Sequence, residues 1–142
     1  MAGGSRITAA SRYAAAHCNL GVLLMNHRQD VDGAEAAYRK ALQINPEDVN
    51  ALNNLGDLLM THRQDIDGAE AACRKALQID PEHAYAWSTL GELLVKHRQD
   101  VDGAEAAHRK ALQFDPDHAD VFRALELLVI ERRQQAGQDT PW

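Results

Sequence analysis

Residues 49–83 read VNALNNLGDLLMTHRQDIDGAEAACRKALQIDPEH. The stretch reads as two helices joined by a short polar turn. In the first, from about Asp48 to Arg63, Ala51, Leu52, Leu55, Leu58 and Leu59 recur at the spacing of one helix face. Asp65 then stands where an N-cap belongs, with a side-chain oxygen able to accept from a free amide of the next first turn. The second helix runs from about Ile66 to Ile79, and Glu70 and Arg74 lie four apart on it in the favourable order for a surface ion pair. Asp80-Pro81 ends it, because proline cannot continue the hydrogen-bond ladder.

Outward from this stretch the same pattern returns on both sides. Asn54-Leu55-Gly56 has counterparts in Asn19-Leu20-Gly21 and Thr89-Leu90-Gly91. His-Arg-Gln-Asp occurs at 27–30, 62–65 and 97–100, and Pro46, Pro81 and Pro116 close the units. Units 14–48 and 49–83 match at 25 of 35 positions, a self-similarity that marks a repeat array. Units are therefore set at about 14–48, 49–83 and 84–118. The ion pairs Glu35–Arg39 and Glu105–Arg109 repeat Glu70–Arg74. Gly56 and Ala69 have almost no side chain, which lets the two helices of a unit approach closely. No unit buries both of its faces, so neighbours must stack. Residues 119–136 begin like another first helix, with Phe122 and Leu125 in the stripe and Glu126 in the glycine's place, and no partner helix follows. The pattern predicts one array over 11–136 with seven helices and no strand, a flexible stretch at 1–10 and a loose tail at 137–142.

Composition narrows the function classes. The chain has 142 residues, of which 45% are hydrophobic and only 5% aromatic. Alanine and leucine carry the apolar content, which suits close-packed helices better than sheet. A formal net charge of −6 argues against a nucleic-acid partner. No apolar run approaches the roughly 20 residues that span a bilayer, and no polybasic patch offers a membrane footing. Cys18 and Cys73 lie far apart without metal-ligand spacing. Two reduced thiols fit an intracellular, cytoplasmic location.

Seven histidines invite a metal reading. His27, His62 and His97 occupy equivalent points, which in stacked helices lie roughly 10 Å apart. That is too far to share one zinc at about 2 Å per ligand. Their place is a helix C-terminus, where a donor meets free carbonyls. His17 and Cys18 are adjacent and so point apart on a helix. No orienting acid accompanies them, so no catalytic residue is assigned. No glycine-rich phosphate loop is present, and no cofactor or metal is expected.

The order Trp87, Leu90-Gly91, Leu94, Ala104, Ala111-Leu112 and Pro116 resembles the tetratricopeptide repeat signature of Trp, Leu-Gly, Tyr, Ala, Phe, Ala and Pro, in three copies over nearly the whole chain. The resemblance implies an all-α fold, an α-α superhelix or right-handed solenoid of three helix pairs plus a C-terminal capping helix. There are departures. The family unit has 34 residues, and the extra one here is placed in His-Arg-Gln-Asp. The family's turn glycine is missing. The large aromatic of the second helix is Tyr38, then Cys73, then His108.

The same resemblance implies a concave groove built from the first helices, holding Asn19, Val22, Asn26, Asn50, Asn53, Asn54, Asp57, Thr61, Tyr85, Ser88, Thr89, Glu92, Lys96 and Arg123. Asn19, Asn54 and Thr89 precede Leu-Gly. In several such families, O-GlcNAc transferase among them, an asparagine there is similar to a ladder that bonds the backbone of an extended peptide. A carboxamide suits this because it donates and accepts without imposing charge. The same residues would serve equally to solvate an exposed helix face. Family members that hold the acidic tail of cytosolic chaperones use a clamp of Lys, Asn, Asn, Lys and Arg. The matching places here are Cys18, Val22, Asn54, Tyr85 and Thr89, and only Asn54 fits.

The function implied is a scaffold for a protein or extended peptide, without nucleic acid or membrane. A second class is a self-assembling module, a weak homodimer formed through Leu127 and Ile130 on the unusually apolar last helix. A third is an adaptor segment of a larger protein.

Overall fold

The computed structural model describes residues 8–138. Among these the regular structure is seven helices and no strand: α1 (Ala9–Leu23, widening into a π-helical segment at Leu24–Arg28), α2 (Val31–Ile44), α3 (Val49–His62), α4 (Ile66–Ile79), α5 (Ala84–His97), α6 (Val101–Phe114) and α7 (Ala119–Gln138). The chain divides into two compact units between Pro81 and Glu82. In the first, α1 pairs with α2, α3 pairs with α4, and α3 also packs on α2. In the second, α5 pairs with α6, and α7 packs on α6. Within the stretches expected to be loose at 1–10 and 137–142, the described residues 9–10 and 137–138 are helical. Thr8 caps α1 by accepting from the Ser11 amide at 3.1 Å, and Gly137 and Gln138 continue α7. Residues 1–7 and 139–142 lie outside the described residues.

Every second helix starts on the aspartate named by the repeat. Asp30, Asp65 and Asp100 accept from the amides of Gly33, Gly68 and Gly103 at 2.9, 3.0 and 2.9 Å. First helices use Asp48, whose carboxylate accepts from Ala51, and His83, whose Nδ1 accepts from Ala86, both at 3.1 Å.

The turn between the helices of a unit holds a backbone feature that composition hides. Gln29, Gln64 and Gln99 lie in the left-handed region at φ 51, 56 and 55°, the region that favours glycine. The amides of Asp30, Asp65 and Asp100 then donate back to the carbonyls of Leu24, Leu59 and Leu94 at 3.0, 3.0 and 2.9 Å. These bonds reach six residues back, one more than the widest bond of an ordinary glycine-ended helix. His62 and His97 end their helices and His27 falls in the last turn before Gln29.

The close approach inside each pair is set by a glycine and the residue above it. A Cβ on Gly21 would lie 2.5 Å from Tyr38 Cε1, one on Gly56 3.0 Å from Cys73 Sγ, and one on Gly91 2.7 Å from His108 Cε1. Tyrosine, thiol and imidazole thus fill the same place in successive repeats. Burial pushes both the Tyr38 phenol and the Cys73 thiol up to about 12. Around them lie the small residues Ala34, Ala69 and Ala104 with Leu55, Leu58, Leu90 and Leu93, all buried.

Candidate groove faces

In the first unit, Asn50, Asn54, Asp57 and Thr61 recur along α3 at the spacing of one face. Asn50, Asp57 and Thr61 are exposed and Asn54 is half-buried. The Thr61 hydroxyl is turned back onto the Asp57 carbonyl at 2.7 Å. Asn54 Nδ2 donates to Cys18 Sγ at 3.5 Å. Cys18 is itself buried, and desolvation pushes its thiol up, with the Asn54 bond pulling the other way. A neutral thiol therefore stands beside the half-buried asparagine. Asn19, Val22 and Asn26 lie on α1 and its π-helical extension, Asn19 and Asn26 exposed and Val22 half-buried.

Two expected groove residues are not on an open surface. Asn53 is only 7% exposed, and its Oδ1 has no hydrogen-bond partner. It lies one step around α3 from the Asn50–Asn54–Asp57 line, far enough to be carried into the packed side. Thr89 is 8% exposed, and its hydroxyl donates to the Tyr85 carbonyl at 2.9 Å. A β-branched hydroxyl readily bonds the carbonyl one turn back, which takes it out of ligand recognition.

In the second unit, Ser88, Glu92 and Lys96 converge on a cavity of about 250 Å³ with Val95, His108, Asp120, Val121 and Ala124. The Lys96 ammonium donates to Glu92 at 2.7 Å. His108 is nearly fully buried over Gly91, and its Nδ1 has no partner. Burial, with a smaller push from His118, holds its pKa below the ordinary value, while Glu92 acts in the opposite direction. The imidazole is thus neutral at neutral pH, beside one ion pair and the Asp120 carboxylate. Tyr85 stands exposed nearby with its ring edge-on to His118 at 5.1 Å. Arg123 is exposed on α7 and does not line the cavity. His108, like His17, His83 and His118, shows no metal-ligand spacing in the sequence. The legible signal for its role was its place, where the repeat puts a large aromatic. Among the described residues no three His, Cys, Asp or Glu side chains converge as a metal site, and no helix is long and apolar enough to cross a membrane.

On α7, Phe122, Leu125, Glu126, Val129, Ile130 and Arg133 line a second, mostly apolar groove of about 320 Å³ together with Arg109. Ile130 is part of it. Leu127 is exposed but lies outside it.

A family model described as tetratricopeptide repeat matches residues 6–49 and 28–84, and a second of the same description matches residues 61–128. Among solved structures, the first TPR of Spaghetti (RPAP3), bound to the HSP90 peptide SRMEEVD, is 17% identical over 87% of this chain and 98% of its own, with a TM-score of 0.78. The first TPR domain of human RPAP3 is 16% identical over 89% and 98%, also at 0.78. A mutant of the Thermobaculum terrenum O-GlcNAc transferase is 26% identical over 87% of this chain but only 23% of its own, at 0.76. Comparison with curated proteins gives no match. The architecture is an all-α helical-repeat solenoid.

Proposed function

Because the chain belongs to the tetratricopeptide repeat family, we propose that it is a binding scaffold that holds an extended segment of another protein on the faces of its first helices. The observation that carries this reading is the cavity of the second unit. Three of the residues singled out for the groove, Ser88, Glu92 and Lys96, line one space with a buried imidazole whose Nδ1 has no partner. A mixed set of donors and acceptors around a small cavity suits one polar side chain of a partner. In the first unit, Asn50, Asn54 and Asp57 supply the polar line along α3, with Asn19 on α1 as its counterpart. Asn53 and Thr89 are left out of the binding set because they are buried.

The partner's chemistry differs from that of an acidic chaperone tail. A related fold holds the peptide SRMEEVD, but the clamp cations are replaced here, and a buried thiol of raised pKa stands at the first of those places. Polar, near-neutral recognition is the reading the side chains support.

Screening an array of extended peptides against the protein tests this. Binding is expected to weaken in a Glu92→Ala, Lys96→Ala double variant whose helix content and melting temperature match the parent. Binding that survives that variant sinks the assignment of the cavity. The peptide SRMEEVD is expected not to bind, and measurable affinity for it would reverse the argument from the missing cations.

A further inference from the structure

We propose that α7 is a self-pairing helix, and that its apolar face docks antiparallel on α7 of a second copy of this chain, with Glu126 of each chain against Arg133 of the other. In each complete helix pair the first helix buries its glycine under a residue of its own second helix: Gly21 under Tyr38, Gly56 under Cys73 and Gly91 under His108. The equivalent position on α7 is Glu126, and it lines the open groove with Phe122, Leu125, Val129 and Ile130. Phe122 is 54% and Ile130 49% exposed. A face of this kind is a docking surface.

The occupant is not a helix like α2, α4 or α6. Those place tyrosine, thiol or imidazole directly on the glycine, within 3.0 Å of where a Cβ would stand. Glu126 puts a full side chain there. The groove therefore needs a partner that accepts a carboxylate at its centre.

The order of residues on α7 is complementary to itself in reverse. Phe122, Leu125, Glu126, Val129, Ile130 and Arg133 share one helix face. In an antiparallel pair centred between residues 129 and 130, Val129 meets Ile130 of the second copy and Glu126 meets Arg133, twice over. Phe122 then meets Gly137, around which the chain leaves open space. Neither Glu126 nor Arg133 has an ion-pair partner in its own chain among the described residues, whereas the neighbouring Arg109 and Arg132 are held by Glu105 and Asp102. A parallel pair would set Glu126 against Glu126 and Arg133 against Arg133, so charge selects the antiparallel twofold arrangement, which also closes the assembly. One helix face is smaller than a standard interface of about 1,600 Å², and the dimer is correspondingly weak and concentration-dependent.

Sedimentation equilibrium of the full chain over a range of concentrations, at low salt, tests the register as well as the contact. The parent is expected to show a monomer–dimer equilibrium. Glu126→Arg or Arg133→Glu alone should weaken it on the order of tenfold or more, since each places like charges opposite one another. The double variant carrying both changes, and an equimolar mixture of the two single variants, should each recover the dimer. Leu127→Glu, off the groove, should leave it unchanged. All these positions are exposed, so circular dichroism should report the same helix content throughout. A parent that stays monomeric at its highest soluble concentration overturns the proposal. So does a dimer indifferent to the single reversals, or one that neither the double variant nor the mixture restores.

Discussion

Gln64 occupies a backbone conformation that glycine would hold without steric cost. At φ 56° its Cβ crowds the chain, a strain of roughly 1–2 kcal/mol for an L side chain. Glycine would relieve this and would lose more unfolded-state entropy in return. Gln64→Gly is therefore expected to stabilise the protein by about 0.5–1 kcal/mol, read as a higher urea midpoint. A lower midpoint would mean that the wide turn relies on the glutamine side chain itself. The opposite effect is expected about two turns back, inside α3. Gly56→Leu drives a large side chain into Cys73 Sγ and the Ala69 carbonyl, 3.0 and 3.2 Å from a Cβ. Overpacking of that kind costs about 1–3 kcal/mol or more. Asp57→Leu, one residue on and exposed, should stay within about 0.5 kcal/mol. Equal melting temperatures for these two variants would contradict the assigned helix faces.

At the scale of helices, what the sequence made legible was what lies within one element or repeats between elements. The caps at Asp30, Asp65 and Asp100 and the pairs Glu35–Arg39, Glu70–Arg74 and Glu105–Arg109, at 2.9, 2.8 and 2.9 Å, are local in the chain. Beyond the close approach of Gly56 to Ala69, contacts between helices were not legible, because they depend on phase. Arg63, just past the end of α3, reaches back to Glu35 at 2.8 Å and to Asp32 on α2. One period of 35 twice over would put its counterpart at Arg133, yet Arg132 takes Asp102 and Glu105. The reason is that α7 does not stop where α3 does, and a continuing helix rotates the next residue away. The groove faces show the same limit. Helical period places Asn53 and Thr89 near the right side, but a small rotation decides between solvent and core, and both are buried. The Arg63 clamp makes a testable element of pH dependence. The Arg63 guanidinium, then that of Arg39, hold the Glu35 carboxyl below its ordinary 4.5. The stabilisation is therefore full above about pH 4.5 and is lost as pH falls through the lower folded value. Glu35→Gln should lower the urea midpoint at neutral pH, and the gap to the parent should narrow as pH falls below about 4.5. A gap that persists unchanged in acid would show that the charge contributes nothing.

Across the whole molecule, near-identical repeats carry different acid-base chemistry at two positions. The place above the glycine is Tyr38, Cys73 and His108, and the cap of the first helix is Asp48 in one repeat and His83 in the next. In residues 8–81 the groups above the glycine stay neutral through the acid range, since burial pushes both to about 12. In residues 82–138 the corresponding group is an imidazole whose pKa burial holds below 6.5. The unfolded chain then takes up a proton at a pH where the folded unit resists it. Stability from neutral His108 is full above about pH 6.5 and is lost as pH falls through the folded value. The groups that bear on His108 are Glu92 on α5, which favours its protonated form, and His118 just before α7, which opposes it. Between pH 7 and about pH 5 the Glu35 carboxylate, held below its ordinary 4.5, remains ionised, so acidification in this window leaves that clamp in place. Amide hydrogen exchange, corrected for its intrinsic pH dependence, is expected to show α5–α7 losing protection on acidification while α1–α4 keep theirs. His108→Tyr, which installs the residue that already fits over Gly21, should remove the part of that loss due to the imidazole. If α5–α7 lose no more protection than α1–α4, or if His108→Tyr leaves the loss unchanged, the buried histidine is not what makes the second unit acid-sensitive.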